Sequence, residues 1–79
     1  MPKYSAMTSF TTNVKAAMKL KGITQRALAD ACGMNEGNMS RLLAARHSPT
    51  LDVLERIAAA LDVDLYELFL PNRTPEKVA

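Results

Sequence analysis

The chain has 79 residues with one cysteine and one histidine, so its composition excludes a disulfide-stapled secreted domain and offers no thiol cluster or second imidazole for a zinc site. Folding hides roughly 60% of the surface of a chain this size, which supports one small core, and abundant alanine and leucine beside only 5% aromatic residues favour an all-helical domain. The net charge of +2 divides into +5 up to Ser48 and −3 from Pro49 onward, which points to one basic face that meets a polyanion.

The first eight residues (1–8) are polar and are predicted to form an N-terminal arm. A helical period begins at Ser9 and ends at Gly22, with apolar positions at Phe10, Val14, Ala17, Met18 and Leu20. Thr24 is the predicted N-cap of a second helix that runs from Gln25 to Cys32. Its core positions are predicted to be Ala27, Leu28, Ala31 and Cys32.

Asn35 is the predicted cap of a third helix (35–45), which turns Met39, Leu42 and Leu43 inward. Thr50 caps a fourth, with Leu51, Leu54, Ile57, Ala58 and Leu61 on one face. Asp64 and Glu67 form a capping-box-like pair at the start of a fifth helix, whose apolar side is Leu65, Leu68, Phe69 and Leu70. The predicted domain therefore covers 9–70, and 71–79 is a polar tail.

Helices two and three, with a glycine in the turn between them, have the pattern of a helix-turn-helix. Ala29 is small where the two helices approach, and Gly33 supplies the left-handed backbone that the turn needs. With their flanks, these helices resemble the lambda-repressor-like helix-turn-helix family, the Cro and phage-repressor group also called the xenobiotic-response-element type. The resemblance runs from about Phe10 to Phe69 and is carried by Lys21-Gly22-Ile23-Thr24-Gln25, Leu28-Ala29, Gly33-Met34, Met39-Ser40-Arg41-Leu42, Ser48-Pro49-Thr50-Leu51 and Leu61-Asp62-Val63.

The resemblance implies a compact five-helix domain that regulates transcription as a repressor, usually as a homodimer, with the third helix in the major groove of operator DNA. In the family, positions matching Glu36, Gly37 and Arg41 contact bases, and the glutamine matching Gln25 touches phosphate and braces the residue matching Glu36. The DNA-binding residues expected here are Thr24, Gln25, Asn35, Glu36, Gly37, Asn38, Arg41, Arg46 and His47. Among them, Arg46 and His47 follow the third helix and are expected on phosphate.

Some positions depart from the family pattern. Glu36 can accept from cytosine but repels phosphate, and it can equally serve only to stabilise the helix N-terminus. Gly37 costs the reading helix about 1 kcal/mol relative to alanine. Ala45 replaces the glycine that commonly ends this helix, so a different ending is expected. Met18 and Leu43 replace a buried arginine–glutamate pair of relatives, and both changes together can be neutral or stabilising.

Several apolar residues in the predicted fifth helix exceed what one small core can use, and they form the predicted dimer interface: Leu65, Tyr66, Phe69 and Leu70. The alternative is a monomer in which the tail covers this patch. The sequence has no nucleophile–base pair or phosphate loop, so we expect no enzyme, cofactor, metal or small-molecule substrate. We expect a cytoplasmic protein without membrane contact. The competing function is a protein–protein interaction module or an antitoxin component with the same fold.

Overall fold

The structure, a computed structural model, describes residues 6–46 and 48–70, and within them the protein is all-helical. Four α-helices are followed by a short 3-10 helix: α1 Ala6–Lys21, α2 Gln25–Ala31, α3 Glu36–Leu43, α4 Leu51–Leu61 and η1 Leu65–Phe69. None of these helices is long and apolar enough to cross a membrane. The all-helical class is confirmed, but the segment expected to be a fifth α-helix is this 3-10 helix.

One hydrophobic core joins all five elements. Its buried members are Phe10, Val14, Leu28, Ala29, Cys32, Met39, Leu42, Leu43, Ile57, Ala58, Leu61 and Leu68. Four positions predicted to face this core are exposed instead: Leu20, Ala27, Ala31 and Leu51. Leu20 and Leu51 lie in the last turn of α1 and the first turn of α4, so these helix ends project beyond the core.

The N-terminal helix is longer than the sequence predicted. Helix α1 begins at Ala6, three residues before Ser9, so residues 6–8 belong to the helix rather than to an arm. Met7 explains the extension, because its side chain packs against the core and gives this extra turn an apolar contact. The remaining arm residues (1–5) and the predicted tail (71–79) lie outside the described residues.

Three predicted N-caps are confirmed, because Thr24, Asn35 and Thr50 each accept a hydrogen bond from a backbone N–H of the first helical turn. The capping-box pair predicted at Asp64 is wrong. The Asp64 side chain makes no capping hydrogen bond. Instead, the backbone N–H of Glu67 donates to the Asp64 carbonyl at 2.9 Å, which closes a 3-10 turn.

All four α-helices end in the same backbone motif, with paired hydrogen bonds around one residue of positive φ. Glycine fills that position after α1 and α2, whereas Ala45 (φ 60°) fills it after α3 and Asp62 (φ 59°) after α4. Helix α3 therefore stops at Leu43, short of the predicted 35–45, and the different ending expected at Ala45 is wrong. Ala45 adopts the glycine conformation without being glycine, which costs about 1–2 kcal/mol.

The 3-10 helix is fastened to α1 by one buried amide and one ring contact. Asn13 donates from Nδ2 to the carbonyls of Leu68 at 2.9 Å and Leu70 at 2.6 Å. The rings of Phe10 and Phe69 stack with centroids 5.1 Å apart. These contacts hold the end of the described chain against the first helix.

Candidate nucleic-acid interface

Helices α2 and α3 form the helix-turn-helix unit, and the turn between them is held from both sides. Within the chain, the N–H groups of Gly33 and Met34 donate to carbonyls of the last turn of α2. From α4, Arg56 donates through Nη1 to the Cys32 carbonyl at 3.1 Å, while its Nη2 lies 3.1 Å from Asp52. The Arg56 guanidinium therefore ties the turn to α4 and helps to set where α3 begins.

Helix α3 has one buried side and one exposed side. Met39, Leu42 and Leu43 face the core. The exposed positions are Glu36, Gly37, Ser40 and Arg41, followed by the C-cap residue Ala44. At 100° per residue, these five positions fall within a sector of about 140° on the helix. The core thus fixes the inner side of α3 and leaves a continuous polar strip in solvent.

The N-terminal half of α3 carries a chain of side-chain hydrogen bonds. Asn35 accepts through Oδ1 from the backbone N–H of Asn38 at 2.7 Å. Asn38 in turn accepts through its own Oδ1 from Nη2 of Arg41 at 2.6 Å. The capping hydrogen bond uses only the oxygen of the Asn35 amide. The Nδ2 group takes no part in the cap and is a suitable hydrogen-bond donor to a phosphate oxygen.

The remaining predicted DNA-binding residues flank this helix. Thr24 is the exposed cap of α2, and the partly buried Gln25 follows it. Arg46 is exposed, and its backbone N–H donates to the Arg41 carbonyl at 2.9 Å, which places it directly beyond the end of α3. His47 lies outside the described residues. The other eight predicted residues lie on α3, on its flanks and at the start of α2, which packs against α3.

Charge in the described residues follows the elements. Between residues 6 and 48 there are six basic and two acidic residues, whereas residues 49–70 hold one basic and five acidic residues. The positive excess comes from the three lysines of α1 and from Arg46, whereas α2 and α3 each carry one basic and one acidic residue; α4 with η1 is acidic. A polyanion is therefore attracted to α1 and to Arg46 beyond the end of α3 rather than to α4 and η1.

Cys32 lies at the C-terminal cap of α2 and is buried, in agreement with the core role predicted for it. Burial raises the pKa of its thiol, and the nearby Arg56 guanidinium offsets part of that rise. The thiol is therefore a small apolar core group rather than an activated nucleophile.

The four residues predicted to form a dimer interface differ in exposure. Tyr66 is 63% exposed, whereas Leu65, Phe69 and Leu70 are each partly buried. Phe69 is committed to its stack on Phe10, and Leu65 packs against the core. Tyr66 is thus the residue of this group with a large apolar area in solvent.

The sequence analysis did not predict a role for three residues near the candidate interface: Ser40, Asp52 and Arg56. Ser40 lies on the exposed strip of α3, and its position one turn after Glu36 and Gly37 indicates this placement. The spacing of Asp52 and Arg56, four residues apart on a helix, likewise indicates their ion pair. The bond from Arg56 to the Cys32 carbonyl joins residues 24 apart, and no local pattern indicates it.

A helix-turn-helix whose second helix presents an exposed strip of polar side chains defines a class of DNA-binding domain. Comparison with known proteins agrees with that class. The helix-turn-helix family profile matches residues 14–68, and this chain belongs to that family, in its Cro and phage-repressor branch. Members of the family are DNA-binding transcriptional regulators rather than enzymes.

Two solved structures are similar to this protein. A hypothetical transcription factor, NHTF from Neisseria, has 29% sequence identity and a TM-score of 0.83, with 95% of this chain and 86% of that chain covered. The clp gene regulator ClgR from Corynebacterium glutamicum has 22% identity and a TM-score of 0.79, with 85% and 71% covered, and shows the fold alone. No curated protein sequence matches the chain.

Proposed function

We propose that this protein is a sequence-specific repressor that reads operator DNA with α3 in the major groove. The observation that carries the proposal is the exposed strip of α3, which presents Glu36, Ser40 and Arg41 from a helix fixed by the core on its other side. A helix is about 10–12 Å wide with its side chains, and the major groove of B-DNA is about 12 Å wide. The strip therefore fits the groove.

Each side chain on the strip has a base-edge chemistry. The guanidinium of Arg41 matches the O6 and N7 acceptors of guanine, the carboxylate of Glu36 accepts from cytosine N4, and the hydroxyl of Ser40 both donates and accepts. Gly37 adds no side chain and lets the helix backbone approach the bases closely. Thr24, Gln25, Asn35, Arg46 and His47 are proposed to hold the flanking phosphates, which fixes the register without reading sequence.

Binding to an operator is sufficient for repression when the operator overlaps a promoter. A domain that binds a promoter tightly excludes other proteins from the same DNA, and this needs no second activity. The family match at residues 14–68 supports DNA binding as the activity of this chain. A protein–protein interaction module would not need an exposed helix with base-reading side chains such as Arg41.

Selection from a random duplex library tests the proposal. We expect the protein to enrich one short motif, and we expect binding to that motif to weaken steeply as salt rises, because Lys and Arg side chains release counterions from phosphate. Failure to enrich any sequence, with equal weak binding to all duplexes, would refute sequence-specific repression and favour the interaction module.

A homodimer built around Tyr66 is the second part of the proposal. Tyr66 is exposed beside the partly buried Leu65 and Leu70, and such an apolar area commonly marks a contact surface. A two-fold dimer of this kind would set two copies of α3 about 34 Å apart, one turn of DNA, over a palindromic site.

Sedimentation equilibrium of a matched pair of variants tests the dimer. Tyr66→Lys and Leu51→Lys each place a charge at a large apolar residue of similar exposure, 63% and 62%. We expect Tyr66→Lys to be monomeric and Leu51→Lys to dimerise as the wild type does. A wild type that is monomeric at high micromolar concentration, both free and on its operator, contradicts this part of the proposal.

A further inference from the structure

We infer that Asn38 is a positioning residue for the DNA contact: it holds the Arg41 guanidinium in a pose that reads guanine, and it does not read a base itself. The inference rests on the proposed function, because it assigns different roles in DNA binding to two residues of α3. It concerns two neighbouring polar side chains of α3, both of which have a base-edge chemistry of their own.

The contacts of the guanidinium define its pose. Nη2 donates to Asn38 Oδ1 at 2.6 Å, a short distance for a charge-assisted hydrogen bond. Nη1 lies close to Gly37, where a built Cβ would be 4.0 Å away. The long Arg41 side chain is thus turned toward the N-terminus of α3 and lies along the exposed strip beside Gly37.

Asn38 is suited to hold this pose because its backbone is fixed in the first turn of α3. Asn38 is partly buried, unlike its exposed neighbours on the strip, and its backbone N–H is the one that the Asn35 cap engages at 2.7 Å. An exposed arginine without such a partner samples many rotamers, and ordering it on binding costs conformational entropy. The hydrogen bond from Asn38 removes part of that ordering before DNA arrives.

The donor inventory shows that the pose leaves guanine readable. A guanidinium has five N–H donors, and one of them is used by Asn38. Two parallel donors suffice for guanine O6 and N7, so four remaining donors are enough. Asn38 is less able to read a base. An asparagine that reads adenine accepts from adenine N6 through its side-chain oxygen, and in Asn38 that oxygen already accepts from Arg41.

The alternative is that Asn38 reads adenine with the second lone pair of its oxygen, independently of Arg41. The two mechanisms differ in coupling. A positioning residue acts only through Arg41, so the effect of removing Asn38 vanishes once Arg41 is absent. An independent reader keeps its effect and controls a base pair of its own.

A double-mutant cycle on the selected operator separates the two. We expect Arg41→Ala to lower discrimination at one guanine by roughly 5- to 150-fold. We expect Asn38→Ala to lower it at the same guanine by about 2- to 10-fold. The double variant should match Arg41→Ala alone.

Asn38→Asp is the conservative variant, because it keeps an acceptor for Nη2 and removes the amide donor. We expect it to restore the guanine preference of the wild type, although its added charge weakens binding to all duplexes alike. Guanine preference is a ratio of affinities for two sequences, so a uniform loss of affinity does not change it. If Asn38 only stabilised the fold, Asn38→Asp would not restore that preference.

Additive effects at two different base pairs, or lost guanine preference in Asn38→Asp, would overturn the inference while leaving the proposed repressor intact. A wild type that enriches no sequence would instead refute the proposed function, and this assignment with it. Thermal unfolding of each variant, run beside the binding assays, confirms that the protein is folded at the assay temperature.

Discussion

Gly37 is expected to lower the stability of the domain and to let α3 approach DNA closely. Gly37→Ala should therefore raise the free energy of unfolding and weaken operator binding. Gly37 lies in the first turn of α3 and has no positive φ. A Cβ built there meets Asn35 Oδ1 at 3.5 Å and Arg41 Nη1 at 4.0 Å, both ordinary van der Waals distances. Nothing in the described residues therefore requires a glycine at this position.

The magnitude follows from helix propensity. Replacing an exposed helical glycine by alanine stabilises by about 0.8–1 kcal/mol, which for a domain of this size raises Tm by about 4–8 °C. The same methyl group would lie between the helix and the base edges, where an extra group pressed into a close contact costs about 1–3 kcal/mol. We therefore expect a higher Tm together with a weaker operator complex.

Thermal unfolding and operator titration of the same preparation measure both effects, and Gly33→Ala is the matched control. Gly33 has φ +72°, and a Cβ there would lie 3.4 Å from Arg56 Nη1, so alanine should destabilise by about 1–2 kcal/mol. A Gly37→Ala variant that binds the operator as tightly as the wild type, or that lowers Tm, would refute this reasoning.

Three further changes test the fold in thermal or urea unfolding. Ala45→Gly should stabilise by about 1 kcal/mol because it relieves a positive φ, whereas Ala44→Gly beside it, at negative φ, should cost about 0.5 kcal/mol; equal effects would contradict the strain. Asn13→Asp should be strongly destabilising at pH 7, where a buried carboxylate faces two carbonyls and the pKa of the new group is therefore raised; stability should partly recover as the pH falls from that raised pKa to about 4, the ordinary pKa of Asp, and a pH-independent loss would contradict this. Leu43→Glu should cost several kcal/mol, and adding Met18→Arg should restore much of it; a double variant no better than the single would refute the pairing.

The sequence predicted the features that depend on neighbours in the chain. The caps at Thr24, Asn35 and Thr50 are local, since a side chain bonds a backbone N–H three residues later. The turn at Gly33 is also local, because the N–H groups of Gly33 and Met34 donate to the carbonyls of Asp30 and Ala29. These features, together with the apolar period, are enough to locate α3 and its exposed strip in the chain.

Features that depend on distant parts of the chain were missed. Asn13 bonds carbonyls 55 and 57 residues away, and Arg56 bonds a carbonyl 24 residues away. The five residues of η1 offer too few intrahelical hydrogen bonds for propensity to decide the helix type, and the contacts that hold η1 against α1 are long-range. At Ala45, the paired backbone hydrogen bonds that end α3 hold a left-handed residue where propensity alone favours glycine.

The central claim is that Arg41 reads sequence while Arg46, directly beyond α3, holds the backbone. The most direct measurement is the ratio of affinities for the selected operator and a scrambled duplex, across a salt series, for Arg41→Ala and Arg46→Ala. We expect Arg41→Ala to lower the ratio by roughly 5- to 150-fold at one guanine. We expect Arg46→Ala to weaken both duplexes alike and to reduce the salt slope by about one. An unchanged ratio in Arg41→Ala would contradict the claim that this helix reads DNA through Arg41.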